Sequence, residues 1–421
     1  MPVSIEDALF RPRGIAIVGA SNDPAKLSGR PLDYLLKLRF GGAIVPVNPT
    51  RAQVQGVPSY RSLADVTVAV DLAIVVVPSP AVAQALRVIG PNCLGSFALP
   101  SKAFATFSSA FDEEGALPDD AIALVSQSGA VGTFIYATMV ACGVGVRYFA
   151  NTGNEADVSV GELLGSLAEA DDVDVLIGYL EDARRLGALE DAARRADRRG
   201  KPLLLIKSGA TAEGSRAVGL HTGFPPGSDA DFQAMVERHG AIRVESMEAA
   251  ADAAMLFRQG RSAAGPRVAI VTSSGGASAL TTDAAVQIGL RIDPLSPQVQ
   301  EVIRPLLPGY GSVANPVDLT GALLTDPSLI RRALEQMMID PAVDIILVVL
   351  GNADRGREAL VEGIAEVCGK THKPFVVAWS GSTGKPRELL QARRIPTYSE
   401  PLRAVRAIQR LVDFSLRQRS A

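Results

Sequence analysis

The stretch AIALVSQSGAVGTFIYATMVA, residues 121–141, decides the fold. Its first five residues form a short apolar run that reads as a buried strand. Ser126, Gln127, Ser128, Gly129 and Ala130 make a tight turn of small residues, and residues 131–141 continue as an apolar helix. Strand, small-residue turn and helix in that order form the repeating piece of a parallel sheet covered by helices. Working outward, the next strands are residues 146–150, 173–180 and 202–206, separated by helical patterns at 161–168 and 186–198. The strand at 146–150 leads into the polar turn Thr152-Gly153-Asn154-Glu155, and the strand at 173–180 ends in Glu181. This spacing describes a flavodoxin-like doubly wound domain over residues 119–258, with residues 232–258 as its closing helices.

A similar unit recurs. After the linker-like QGRSAAGP (259–266), a strand at 268–271, a turn Thr272-Ser273-Ser274-Gly275-Gly276-Ala277 and a helix at 278–288 open a second such domain, 267–421. Its later strands are 344–350 and 374–379, and a helix at 401–416 closes the chain. On the other side, residues 14–19 (GIAIVG) and 43–47 are strands with a helical pattern at 29–38 between them, and 71–77 is a third strand. This is the opening of a Rossmann-like nucleotide-binding domain, placed over residues 1–118 with linker character at 101–118. One feature is unusual. Only PSPAVAQAL, 78–86, separates the apolar run ending at Val77 from the next one, Arg87-Val88-Ile89-Gly90, whereas a parallel crossover needs about a dozen residues. Either the domain is trimmed there or residues are missing between Leu86 and Arg87; the second is expected.

Composition narrows the function classes. The chain has 421 residues, 47% apolar, 21% charged and 5% aromatic, with a net charge of −3. Without a basic tract or aromatic–basic interleaving, nucleic acid and anionic membranes are not expected partners. No apolar run approaches the roughly 18 residues of a membrane span, and the N-terminus has no signal-peptide pattern, so a cytoplasmic protein is expected. Cys93, Cys142 and Cys368 are far apart without metal-ligand spacing, and no metal site is expected.

The chemistry concentrates in IKSGATAEGSRAVGLHTGFPPGSD, residues 206–229, where His221 is one of only three histidines. The segment is too glycine-rich to read as a helix, so the histidine is expected on a loop. A solvated loop histidine is the plain reading, and a ring placed for its chemistry is the sharper one. Ser128, Gly129 and Ala130, and likewise Gly275, Gly276 and Ala277, each open a helix straight after a buried strand. The unpaired N–H groups and positive dipole of a helix start favour an anion. Two such starts could hold one phosphoryl group carried on His221. Glu181, at a strand end of the same sheet, reads as a solvated carboxylate or as an acceptor for the ring N–H of His221. Gly19, Ala20 and Ser21 would let backbone N–H groups approach a phosphate. The second strand ends in Pro46-Val47-Asn48-Pro49 without the acidic residue that binds an NAD ribose, which weakens a dehydrogenase reading. Asp318, in ANPVDLTG, reads as a turn or cap residue, with lining the cleft as the alternative.

Taken together, IVGASNDPAKLSG, PVNP, VIGPNCLG, ALVSQSGAVG, GYLE, KPLLLIKSG, LHTGFPPGSDADF, VTSSGGASALTTDA and NPVDLTG resemble the ADP-forming acyl-CoA synthetases of the acetate–CoA ligase type, relatives of succinyl-CoA synthetase. The motifs run in the family's order over nearly the whole chain. The resemblance implies a CoA-binding first domain and two ligase domains, with His221 as the phosphohistidine and Glu181 as its supporting carboxylate. The helix starts at Ser128 and Gly275 would bind the phosphoryl group. CoA would lie over Gly19, Ala20 and Ser21, near Pro46, Val47, Asn48, Val77 and Pro78. The implied reaction joins a small carboxylic acid to CoA at the expense of ATP, giving ADP and phosphate through a phosphohistidine and an acyl phosphate. Nothing in the chain resembles the ATP-grasp domain that charges the histidine, so ATP/ADP and its Mg2+ are implied on an ATP-grasp domain or beta subunit, in an oligomer. The chain departs from the family in lacking a few tens of residues after Leu86, and in Leu220 and Phe224-Pro225-Pro226 around the histidine. The rival reading is a non-catalytic CoA-binding regulator on the same fold.

Overall fold

The computed structural model describes residues 4–76, 88–111, 117–223, 226–354, 356–381 and 383–420. The chain divides into two compact units, Met1–Val140 with Gly145–Met247, and Ala141–Val144 with Glu248–Ala421.

The first unit opens on a parallel sheet of β1 (Gly14–Val18), β2 (Ala43–Val47) and β5 (Leu72–Val75), ordered β2-β1-β5. The helix Arg30–Lys37 packs Leu32 and Leu35 into its core. Between β2 and β5 lies a short hairpin, β3 (Gln53–Val54) and β4 (Val57–Pro58), that the sequence reading did not contain. Its two turn residues, Gln55 and Gly56, both have positive φ (48° and 81°), as a tight primed turn requires. The Gln55 side chain donates to the carbonyls of Ser21 and Gly29, which fixes the loop after β1.

A second sheet holds β6 (Gly95–Ala98), β7 (Ala103–Thr106), β8 (Ile122–Ser126), β9 (Tyr148–Asn151), β10 (Val175–Leu180), β11 (Leu203–Lys207) and β12 (Ile242–Arg243). Its order is β12-β11-β10-β8-β9-β6-β7. Counted from β8, the five parallel strands stand in the order 2-1-3-4-5, the flavodoxin arrangement. The stretch from 101, read as a linker, instead supplies β7 and the return of an antiparallel hairpin that extends this sheet from β9. The strand is only four residues long, Ala103–Thr106, which hid it. All four residues are buried, and aromatic packing holds the hairpin in place: Phe97 stacks on Phe104 at 5.2 Å and on Phe149 at 5.6 Å.

The second unit holds β13 (Val268–Thr272), β14 (Val317–Asp318), β15 (Ile345–Gly351), β16 (Phe375–Ser380) and β17 (Thr397–Tyr398) in the order β14-β13-β15-β16-β17. Counted from β13, that is again 2-1-3-4-5, so the repeat seen in the sequence is a repeat of topology. Two sequence readings change here. Residues 259–266 are not a free linker, because Gln259 bonds to the backbone of Phe375 on both sides, Arg261 donates to the carbonyls of Cys368 and Lys373, and Ala263 N–H donates to Ser415 Oγ. The helix Met247–Phe257, expected to close the preceding domain, packs from Glu248 onward in this unit. Its buried Asp252 accepts two hydrogen bonds from Arg403, both 2.8 Å.

Candidate functional site

The histidine sits on a helix, not a loop. Ala212–Thr222 is helical, with Thr211 as N-cap accepting from Gly214 N–H at 3.0 Å and Gly223 closing it at φ 76°. These two caps offset part of the cost of Gly214 and Gly219 inside the helix, about 1 kcal/mol each. Of its eleven residues only Val218 is buried, and the His221 side chain is 70% exposed. Leu220 beside it is 90% exposed. Phe224 and Pro225, two of the departures from the family pattern, lie outside the described residues.

Across from His221 stands Glu181, immediately after β10, its side chain 12% exposed and its Oε2 3.8 Å from His221 Nε2. That is ion-pair distance, longer than a hydrogen bond. Both residues line one cleft of about 320 Å³, together with Asn92, Cys93, Leu94, Gln127, Ser128, Gly129, Ala130, Gly153, Asn154, Asp182, Arg184 and Thr222. The cleft lies over the carboxyl ends of β8 and β10, the switch point of a 2-1-3-4-5 sheet, where doubly wound folds place their ligands.

The expected helix start is here too, two residues earlier than the sequence suggested: the helix runs Gly129–Ala141. Gly129 is required by packing, since a Cβ there would lie 2.5 Å from Leu94 Cγ. Asn151 holds the turn from below, its amide donating to the carbonyls of Ser126 and Gln127 at 2.8 Å while its oxygen accepts from Leu94 N–H. Gln127, within the turn, links the two sides of the cleft. Its side-chain oxygen accepts from the backbone N–H groups of Glu181 (2.6 Å) and Asp182 (2.9 Å). Arg184 brings a cation to the cleft wall and binds Asp182 through Nε and Nη2 at 3.0 Å each. Nothing in the local sequence marks either role, because both depend on which loop faces the turn. Cys93 borders the cleft, and burial pushes its thiol pKa up, which disfavours the thiolate.

In the first sheet, Gly19, Ala20 and Ser21 follow β1 as expected, but they do not form an open row of donors at a helix start. Gly19 N–H donates to Val47 O and Ser21 N–H to Ser28 O, and the helix begins only at Arg30. Pro46 and Val47 end β2; Asn48 links the two strand ends by donating from its amide to Ala20 O at 3.0 Å. Val77 and Pro78, like the join between Leu86 and Arg87, lie outside the described residues. The second helix start belongs to the other unit. Gly275, Gly276 and Ala277 open the helix Gly275–Gln287, capped by Ser274. Asp318, expected at a turn or cap, is the last residue of β14 and pairs with Thr272; its Oδ1 accepts from Thr320 N–H at 2.9 Å, and its Oδ2 would stand 3.4 Å from a Cβ at Gly275.

Three domain models of one class match in series: a CoA binding domain over residues 13–115, a succinyl-CoA ligase like flavodoxin domain over 119–257 and a ligase-CoA domain over 268–398. The chain therefore belongs to the alpha-subunit-like proteins of the ADP-forming acyl-CoA synthetases. It is 29% identical, over 97% of each chain, to the alpha subunit of acetate–CoA ligase [ADP-forming] II of Pyrococcus furiosus. It is 27% identical to the 4-hydroxybutyrate–CoA ligase [ADP-forming] of Nitrosopumilus maritimus, matching over 97% of its own length but spanning only 64% of that longer chain. Among solved structures, the Ca. Korarchaeum cryptofilum dinucleotide forming acetyl-coenzyme A synthetase 1, in complex with phosphate and ADP, superposes with a TM-score of 0.89 at 27% identity, covering 99% of this chain and 98% of that one. The match to the Pyrococcus subunit runs over 457 positions, more than the 421 residues present here, so that relative has residues with no counterpart in this chain.

Proposed function

We propose that this chain is the CoA-binding, phosphohistidine-carrying component of an ADP-forming acyl-CoA ligase, working with a separate ATP-grasp domain or beta subunit that binds ATP and its Mg2+. The observation that carries this reading is the meeting, in one cleft, of an exposed imidazole, a shielded carboxylate 3.8 Å from its Nε2, and the start of the helix Gly129–Ala141. A phosphoryl group on His221 would place negative oxygens where that helix end is positive, and the Glu181 carboxylate offsets the positive charge that phosphorylation leaves on the ring.

A ring nitrogen of His221 attacks the terminal phosphorus of ATP on the partner, and the P–O bond to ADP breaks. A carboxylate oxygen of the acid then attacks phosphorus, the P–N bond breaks, and an acyl phosphate forms. The CoA sulfur attacks the acyl carbon and phosphate leaves. CoA is assigned to the first sheet, over Gly19, Ala20, Ser21, Pro46, Val47, Asn48, Val77 and Pro78. A phosphate-binding role is assigned to the helix start at Gly275, Gly276 and Ala277. Relatives named as alpha subunits support a two-subunit assembly.

Incubation with γ-labelled ATP and a nucleotide-grasp subunit should label the chain at His221, and His221→Ala should take up none. Label retained by His221→Ala overturns the assignment. CoA binding by a wild-type chain that no partner can label would leave the regulatory reading in its place.

A further inference from the structure

The Gln127 side chain ties together the two halves of the cleft. Its own backbone belongs to the turn after β8 that begins the helix Gly129–Ala141, and its N–H donates to Tyr179 O at 3.0 Å. Its amide crosses to the loop after β10, where one oxygen accepts from both Glu181 and Asp182 N–H and the NH2 donates back to Asp182 O at 3.2 Å. A second partner lies behind it. Glu155 is 8% exposed, and burial raises its pKa against hydrogen bonds to its Oε1 from Val160 N–H and Thr152 Oγ1. Gln127 is itself only 7% exposed, and an amide suits these neighbours because it accepts from two N–H groups and donates to a carbonyl, with the Glu155 carboxylate lining the same pocket.

We infer that Gln127 is a positioning residue for phosphoryl transfer: it sets the distance between the Glu181 carboxylate and the anion-binding helix start, so that both meet the same phosphoryl group on His221. This rests on the function proposed above. Uncoupled, the loop carrying Glu181 would keep its fold but lose its register against the helix end.

The test uses the chain alone with labelled acetyl phosphate, which charges the histidine by the reverse of the acid step and releases acetate. Gln127→Ala should label about 10- to 100-fold more slowly than wild type, as expected when two buried N–H groups lose their acceptor. Gln127→Glu gives a readout that simple destabilisation would not. Its carboxyl would face Glu155, Asp182 and Glu181, with Arg184 and Arg185 as the nearby cations and His221 across the cleft. Ionised, it opposes the Asp182 carbonyl and Glu155; protonated, it donates to Asp182 O as the amide does. The labelling rate of Gln127→Glu relative to wild type should therefore rise as pH falls from about 8 to 6. Taking the ratio removes the shared titration of His221. A ratio that is flat with pH, or both variants labelling at the wild-type rate, overturns the inference while leaving the function intact. A wild-type chain that takes no label while His221→Ala behaves identically counts against the function itself.

Discussion

At the residue scale, the cleft is narrow in what it tolerates. Gly129 begins the helix and faces Leu94, whose backbone is fixed by a 2.6 Å hydrogen bond to Asn151. A methyl group there would lie 2.5 Å from Leu94 Cγ and 3.3 Å from Asn151 Oδ1. Gly129→Ala should cost roughly 1–3 kcal/mol in urea unfolding and shift the helix start away from Glu181, slowing labelling of His221 as well. Equal stability and equal labelling would show that the turn can relax. At neighbouring positions the sequence was a good guide, since Ser128, Glu181 and His221 do line one cleft. It was a poor guide to Gln127 and Asn151, because an amide announces its role only through the groups it faces, and those come from strands 24 to 55 positions away along the chain.

At the element scale, two sheets are fastened in the same way. Arg13, just before β1, donates from its backbone N–H, Nε and Nη2 to Asp71, just before β5. Arg267, just before β13, makes the same three bonds to Asp344, just before β15. The Asp344 side chain is 2% exposed; burial pushes its carboxyl pKa up, and the Arg267 contacts more than reverse that, leaving it below the ordinary value. A depressed carboxyl pKa contributes stability above the unfolded value near pH 4, and that contribution fades as pH falls through the folded value. Asp344→Asn should therefore cost about 2 kcal/mol at pH 6, less than a fully buried pair because Arg267 is partly exposed, and the deficit should shrink toward pH 3. Urea midpoints of both proteins at the two pH values check this; a deficit that does not change with pH would assign the effect to packing. Helix boundaries followed the sequence where apolar residues recurred at helical spacing, as at Leu186–Arg198, which buries Leu189, Ala192, Ala193 and Ala196. They failed at Ala212–Thr222, where two caps and a single buried valine hold a helix that glycine content argued against.

At the scale of the whole molecule, the division of labour is between sheets. The CoA binding domain match covers residues 13–115, with the linking amide of Asn48 between the ends of β1 and β2. CoA at about 100 times its dissociation constant should stabilise the chain by about 2.7 kcal/mol, raising the melting midpoint by roughly 3 °C. NADH should leave it unchanged, and a shift with NADH but not with CoA would reverse the reading of the first sheet. Among the described residues no helix is long and apolar enough to cross a membrane.

The sequence by itself determined the parallel α/β architecture, the order of the long strands, and the recurrence of strand, Ser/Gly turn and helix, and it singled out the histidine, the glutamate and the helix starts as candidates. Each of these is written in local patterns: apolar runs of strand length, small residues at turns, and a rare residue type in an unusual setting. Only the tertiary structure decided that residues 95–106 extend the second sheet, that the histidine ends a helix, and that Gln127 joins the two sides of its cleft. These depend on hydrogen bonds and packing between segments far apart in the chain, and no local propensity encodes which distant strand end will supply the partner.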